Sequence, residues 1–358
     1  MIKVFKGWFE RYFSNEEAMI LFVLLVGIFA VILTMGGILG PVFVSIVLAF
    51  LMQGVVNKLV AKNVPHMLAV MLVFTVFMGL LFASIFLLLP LVWGQLVSLF
   101  GELPRMLEKG HALLAALPEK YPELVTEAQI KEWTGAAGNE AAQLGQWVLS
   151  YSMATITNLV SMLIYLILVP ILVFFFLKDR EVLTQWFSAM LPKKRILISK
   201  VWWEMDGQIA NYIRGKAIEI LLVGGASYVT FAFMGLNYAI LLGILVGLSV
   251  IVPYLGAAVV TVPVALIGAT QWGWTSEFFY LMMAYGVIQA LDGNVLVPFL
   301  FSEVVNLHPV AIIVAVLFFG SIWGLWGVFF AIPLATLIQA VLNAWPRGDT
   351  SAGPPIEG

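Results

Sequence analysis

The sequence predicts an all-α, polytopic integral membrane protein of about eight membrane segments, some of them able to form re-entrant hairpins. Three observations predict it. Hydrophobic types make up 62% of the 358 residues and charged types 11%, whereas a soluble domain runs near 45–50% apolar and about 25% charged. A water-facing surface for a chain of this length cannot be built from so little charge. Apolar stretches without charge recur along the chain, and about 20 such residues suffice to cross a hydrocarbon core roughly 30 Å thick. Lysine and arginine are confined to a few stretches between those runs, the distribution that sets orientation in a bilayer.

Residues 1–17 carry Lys3, Lys6 and Arg11 and form a cytoplasmic N-terminal segment. The apolar run that follows is too long for a signal peptide and has no small-x-small cleavage site, so it is an uncleaved first span. Residues 18–100 hold membrane segments 1–3: Ala18–Gly37, Leu39–Val56 and Met67–Phe100. The third would be about 51 Å long as a helix, so it tilts, kinks at Pro90 or projects beyond the bilayer. Residues 101–150 are an external segment of short amphipathic helices, punctuated by Pro104, Pro118, Pro122 and Gly135, with seven acids against four bases. Residues 151–177 are segment 4. Residues 178–216 are a cytoplasmic or interfacial helical segment holding eight bases beside Trp186, Phe187, Trp202 and Trp203. Tryptophan next to lysine marks the headgroup level.

Residues 217–345 supply the remaining segments: Ala217–Phe233, Ala239–Gln271, Phe278–Phe301 and Val310–Leu342. Two of these runs exceed one span and are expected to break at proline: one at Pro253 and Pro263, the other at Pro333. Residues 346–358 are a Gly/Pro-rich tail of disordered composition.

Soluble chemistry finds little purchase. His66, His111 and His308 lie far apart, and no His-Glu-x-x-His pair, P-loop or Gly-x-Ser-x-Gly elbow is present. The chain has no cysteine, which excludes disulfides, thiolate metal sites and cysteine nucleophiles. Asp292 is the one aspartate deep in an apolar run, so an intramembrane aspartyl protease lacks its second acid. The sequence therefore calls for no enzyme activity, cofactor or metal. A net charge of −2 with no basic excess argues against a nucleic-acid partner.

Polar residues inside the membrane are costly and usually functional. Gln289, Asp292 and Asn294 sit within six residues, with Gly293 and Pro298 able to break the helix. They form either a substrate or proton site on a broken helix or an interhelical hydrogen-bond clasp. Asp292 stands in a 130-residue stretch, Ala217 to Pro346, that has no basic side chain. A second cluster, Pro253-Tyr254-Leu255-Gly256, is either a re-entrant tip or a plain kink. In a third, Gln208, Asn211 and Tyr212 share a helical face. Arg214 and Lys216 follow, with Glu219 one turn beyond Lys216 and able to pair with it at i,i+3; this group is either an interface anchor or part of the site. Gly320, Gly324 and Gly327, with Trp323 and Trp326, read as close helix packing.

Several motifs in order give the chain a family likeness. They are Pro170 with Phe174-Phe175-Phe176-Leu177-Lys178-Asp179, and Gln208 with Asn211-Tyr212-Ile213-Arg214-Gly215-Lys216. Gly235-Leu236-Asn237-Tyr238 and Pro253-Tyr254-Leu255-Gly256 follow, then Gln289 through Asn294 with Pro298. Leu307-His308-Pro309, Gly327 and Ala331-Ile332-Pro333-Leu334-Ala335 complete the set. With these the sequence resembles the autoinducer-2 exporter family of bacterial membrane transporters, in its PerM-type permease branch. The resemblance implies about eight membrane segments, the bacterial inner membrane and a cytoplasmic N-terminus. It also implies a homo-oligomer, pentameric in the family picture, with elevator-like movement of hairpins. Many members carry glutamate at the position of Asp292 and a basic residue near Glu303; the acids here fit the PerM-type branch and depart from that pattern. Glu303 and His308 enter the supporting set on that resemblance.

The expected function is a secondary transporter, permease or exporter of a small solute, autoinducer-2-like or ion-coupled, working by alternating access. Its expected partners are the lipid bilayer and a small-molecule or ion substrate. The alternative is a passive channel or a non-transporting membrane scaffold. The expected substrate or ion site is Gln289, Asp292, Asn294, Pro253, Tyr254 and Gly256, supported by Gln208, Asn211, Arg214, Glu219, Glu303 and His308.

Overall fold

A computed structural model describes residues 16–36, 38–115, 135, 155–191, 196–253, 255–301 and 307–345. Among them every regular element is helical. The order is α1 (Glu16–Met35), α2 (Gly40–Val60), α3 (His66–Ala83), a π turn (Ser84–Leu88), α4 (Leu89–Ala115), α5 (Thr155–Lys178), α6 (Arg180–Ala189) and α7 (Ile196–Phe233). Then come α8 (Ala239–Ser249), α9 (Leu255–Trp272), α10 (Ser276–Leu291), a second π turn (Asp292–Leu296), α11 (Val297–Phe301) and α12 (Pro309–Ala344). Seven helices among the described residues are long and apolar enough to cross a membrane. The number rises to eight if the pair Met162–Lys178 and Arg180–Ala189, bent by 81°, counts as one broken span. The all-α polytopic reading holds.

The two π turns share a cause. Each is five residues long and ends two residues before a proline, Pro90 and Pro298. A proline ring clashes with the carbonyl four residues back and offers no N–H. Widening the preceding turn to i→i+5 bonding relieves that clash without ending the helix. Pro104, Pro170, Pro263 and Pro333 all lie inside helices, so Pro263 and Pro333 do not break the long runs as expected. The first of those runs breaks between Ser249 and Leu255 and the second at Gly324, where φ is 59° and ψ −136°. Only glycine adopts that backbone at little cost.

The chain divides into two compact units. One comprises Met1–Gly54, Ile171–Arg214 and Glu303–Gly358; the other comprises Val55–Pro170 and Gly215–Ser302. In the first, Leu21 of α1, Ile198, Val201 and Met205 of α7 and Ala340 of α12 form a buried cluster. Glu17 accepts the Leu197 N–H at 3.1 Å, supplying one of the acceptors that a helix N-terminus lacks. Past Gly324 the two arms of α12 fold back on each other: a Cβ on Gly327 would run into the Phe319 carbonyl, and one on Gly320 would lie 2.9 Å from Val328. Residues eight apart in a straight helix are about 12 Å apart, so this is a helical hairpin. Phe43 of α2 packs edge-on to Trp323 of that hairpin at 4.8 Å, the aromatic packing expected around its glycines.

In the second unit the core gathers Val223 and Phe231 of α7, Leu242 and Val246 of α8, Val264 and Ile267 of α9, and Leu281 and Tyr285 of α10. The α7–α8 crossing is made by glycine. A Cβ on Gly224 would stand 3.0 Å from the Gly247 Cα, and one on Gly243 would meet the Tyr228 backbone. Gly243 and Gly247 are a small-x-x-x-small pair, which lets helix backbones touch where lipid provides no hydrophobic drive. At 11 residues α8 is about 16 Å long and cannot span. It runs into a turn at Val250–Pro253 and returns as α9. Gly256 makes the return possible, since any Cβ there would overlap the Ser249 carbonyl.

Candidate functional site

The short helix α8 leaves free N–H groups at its start and free carbonyls at its end. In a bilayer these must be met by protein. At the start, the Leu241 N–H donates to Gln95 Oε1 of α4 at 2.9 Å. Nearby, burial and a hydrogen bond to the Glu102 carboxylate push the Tyr238 hydroxyl up to about 12, so Tyr238 stays a donor throughout the physiological range. At the end, Lys216 Nζ of α7 donates to the Val250 carbonyl at 2.8 Å.

Lys216 is the hub of the only polar cluster that the described residues bury with both signs of charge. Its Nζ pairs with Glu219 Oε2 at 2.8 Å, the side chains being 5% and 2% exposed. The i,i+3 pairing expected from the sequence is present. The same Nζ lies 5.2 Å from the Phe301 ring centroid, a cation–π distance. Gly215 admits Phe301 there, because a Cβ would approach that ring to 2.7 Å. Removing one member of so buried a pair costs about 3–5 kcal/mol.

Asp292 opens the second π turn, at the point where α10 gives way before Pro298. Its carboxyl is half-buried and feels the charge of both Lys216 and Glu219, and its Oδ1 is buried without a hydrogen-bond partner. Lys216 lies one residue outside the base-free stretch, and the fold brings it to the acid. Lys216 is thus ion-paired with Glu219 and stands in the electrostatic field of Asp292. Gln289, one turn before, is half-buried and faces Tyr285. The Tyr285 hydroxyl lies 3.4 Å from both the Ala257 carbonyl and Thr261 Oγ1 on α9, which sets the polar face of α10 against the start of α9.

The other expected residues are placed as follows. Pro253 and Gly256 form the α8–α9 turn beside Val250. Asn294 is exposed and its Nδ2 donates to the Ala290 carbonyl of its own helix at 2.8 Å, so it does not join Asp292. Gln208, Asn211 and Arg214 lie on α7 in the first unit. Asn211 is exposed, and Gln208 Oε1 and Arg214 Nε are buried without a partner. His308 caps α12, its Nδ1 accepting the Val310 N–H at 3.3 Å. Tyr254 and Glu303 lie outside the described residues, as do most of the expected external segment and the tail. Val250 and Gln95 were not among the expected site residues, and Lys216 was expected only within the cluster read as an interface anchor or part of the site. The signal for Lys216 was its i,i+3 acid; nothing in the sequence points to Val250, whose contribution is a backbone carbonyl. Among the described residues no cluster of three His, Cys, Asp or Glu side chains is placed to hold a metal.

Residues 20–347 match the model of the AI-2E family transporter. The chain is 44% identical over 349 residues to PerM of Escherichia coli K12, which bears the name of a permease, covering 98% of this chain and 99% of that one. It is 26% identical over 308 residues to YueF of Bacillus subtilis, named as a transport protein, covering 84% and 82%. It is 24% identical over 318 residues to YrrI of the same organism, also named as a transport protein, covering 87% of each. The chain belongs to the AI-2E transporter family and is a multi-span membrane transporter.

Proposed function

We propose that the protein is a secondary permease of a small solute in the bacterial inner membrane, N-terminus in the cytoplasm, working by alternating access as a homo-oligomer. Its ion or substrate site is centred on Asp292, with Gln289 beside it, Asn294 on the same broken helix, and Pro253 and Gly256 of the α8–α9 turn as its wall. The observation that carries this reading is the Asp292 carboxyl: a buried oxygen with no hydrogen-bond partner on a helix interrupted by a π turn. A carboxylate is an expensive choice for a mere clasp in a bilayer, and π turns and broken helices recur at functional sites. Asp292 takes up a proton or a cation, and the two states of its charge couple solute movement to an ion gradient.

The test is gradient-driven flux in proteoliposomes. Asp292→Asn should lose the dependence of flux on the proton or cation gradient while the protein still inserts. Flux equal to wild type at every gradient would overturn the reading. Conduction that never saturates with solute would assign a passive channel instead.

A further inference from the structure

Lys216 lies where one side chain can hold or release a helix end. The groups that face it come from every element packed around it. Glu219 stands on α7 itself, the Val250 carbonyl at the end of α8, Asp292 on the π turn and Phe301 on α11. Tyr285, the neighbouring titratable group on α10, is directed at Ala257 and Thr261. The Val250 carbonyl belongs to the last turn of an 11-residue helix, where no intrahelical N–H is available and a bilayer supplies no water. Lysine is a compact charge on a flexible four-carbon stem. It reaches Glu219 and Val250 together in this structure, and a second carboxylate, Asp292, lies in its field.

We propose that Lys216 is the latch of the α8–α9 hairpin, and that Glu219 and Asp292 compete for its ammonium, so that the charge on Asp292 sets whether the hairpin tip is held. The inference rests on the reading of Asp292 as the ion site. With Asp292 neutralised by its ion, Lys216 stays on Glu219 and on the Val250 carbonyl, and the tip is held. With Asp292 a bare carboxylate, Lys216 is drawn toward it, Val250 loses its donor and the tip loosens. A ligand shifts a conformational equilibrium only by its differential interaction with the two states; here that difference passes through one ammonium group. Lys216 is a positioning residue and Glu219 the counter-ion of the held state.

The absence of native cysteine makes the tip directly readable. A single Ile251→Cys substitution, labelled by a maleimide in native membranes, reports tip opening. Glu219→Gln and Lys216→Met should each speed labelling about tenfold or more, while Asp292→Asn should label at or below the parent rate. A merely structural role predicts that loss of either carboxylate acts alike. Parent rates in both Glu219→Gln and Lys216→Met, or an Asp292→Asn rate as fast as Glu219→Gln, would overturn the latch.

A second measurement leaves Lys216 and Glu219 intact. Labelling of Ile251→Cys should rise with pH more steeply in the parent than in Asp292→Asn, the thiol's own ionisation being common to both; equal slopes would overturn the proposal. Flux separates the two readings. Normal coupled flux in Asp292→Asn with opposed labelling effects removes the coupling role and leaves the latch. Lost flux with unchanged labelling in Glu219→Gln does the reverse.

Discussion

The Tyr212 hydroxyl donates to the Phe329 carbonyl at 2.9 Å, and Phe329 stands four residues before Pro333. In an unbroken helix that carbonyl would take the N–H of residue 333, which proline lacks. Tyr212, 1% exposed, restores the bond from another helix of the same unit. This is why Pro333 sits inside α12 without breaking it. Tyr212→Phe should cost about 1–3 kcal/mol, the penalty for a buried acceptor left unsatisfied. Pro333→Ala supplies an N–H to the same carbonyl, so Tyr212→Phe should cost less in that background. Denaturation midpoints of the four proteins form a double-mutant cycle; a coupling energy of zero would show that the hydroxyl does not serve this carbonyl.

The hairpin turns make a second prediction. Gly256→Ala and Gly327→Ala would each press a methyl group into a backbone carbonyl, of Ser249 and Phe319 respectively. Overpacking against backbone costs about 1–3 kcal/mol, so both should lower the thermal midpoint in detergent. Gly293→Ala is the control: nothing lies within 4 Å of its added methyl, and alanine favours helix over glycine by about 1 kcal/mol. It should match or exceed wild type.

Gln95 gives a third. Gln95→Leu leaves the Leu241 N–H without its acceptor and should cost about 1–3 kcal/mol. Gln95→Glu retains an acceptor oxygen and should lie closer to wild type. Equal midpoints for wild type and Gln95→Leu would mean that the start of α8 finds another partner.

Orientation is the fourth. A single cysteine at Lys120 should react with an impermeant reagent added to intact cells, and one at Lys194 should react only after permeabilisation. The reverse pattern would invert the proposed topology.

Much of the fold is legible before any coordinates. Composition and charge-free run length select helices that cross a bilayer, because a spanning backbone must satisfy itself and only a helix does so within one segment. Asp292 stands out on the same logic, as an acid deep in an apolar run. The breaks are less legible. Prolines mark carbonyls that lose a partner, but whether a helix then ends depends on whether another group supplies one. Pro333 is rescued by Tyr212, and Pro298 is absorbed by a π turn. Gly324, which does break the chain, looks no different in sequence from Gly320 or Gly327.

Sequence alone determined the class, the approximate number of segments, the Lys216–Glu219 pair and the isolation of Asp292 along the chain. The first two follow from one-dimensional quantities, and the pair from helical geometry within four residues. Tertiary structure alone decided that Lys216 is buried, that it closes the end of α8, and that its charge reaches Asp292, 76 positions away. No local pattern encodes those facts. They depend on where α7, α8 and α10 meet, and one partner is a backbone carbonyl that every residue possesses.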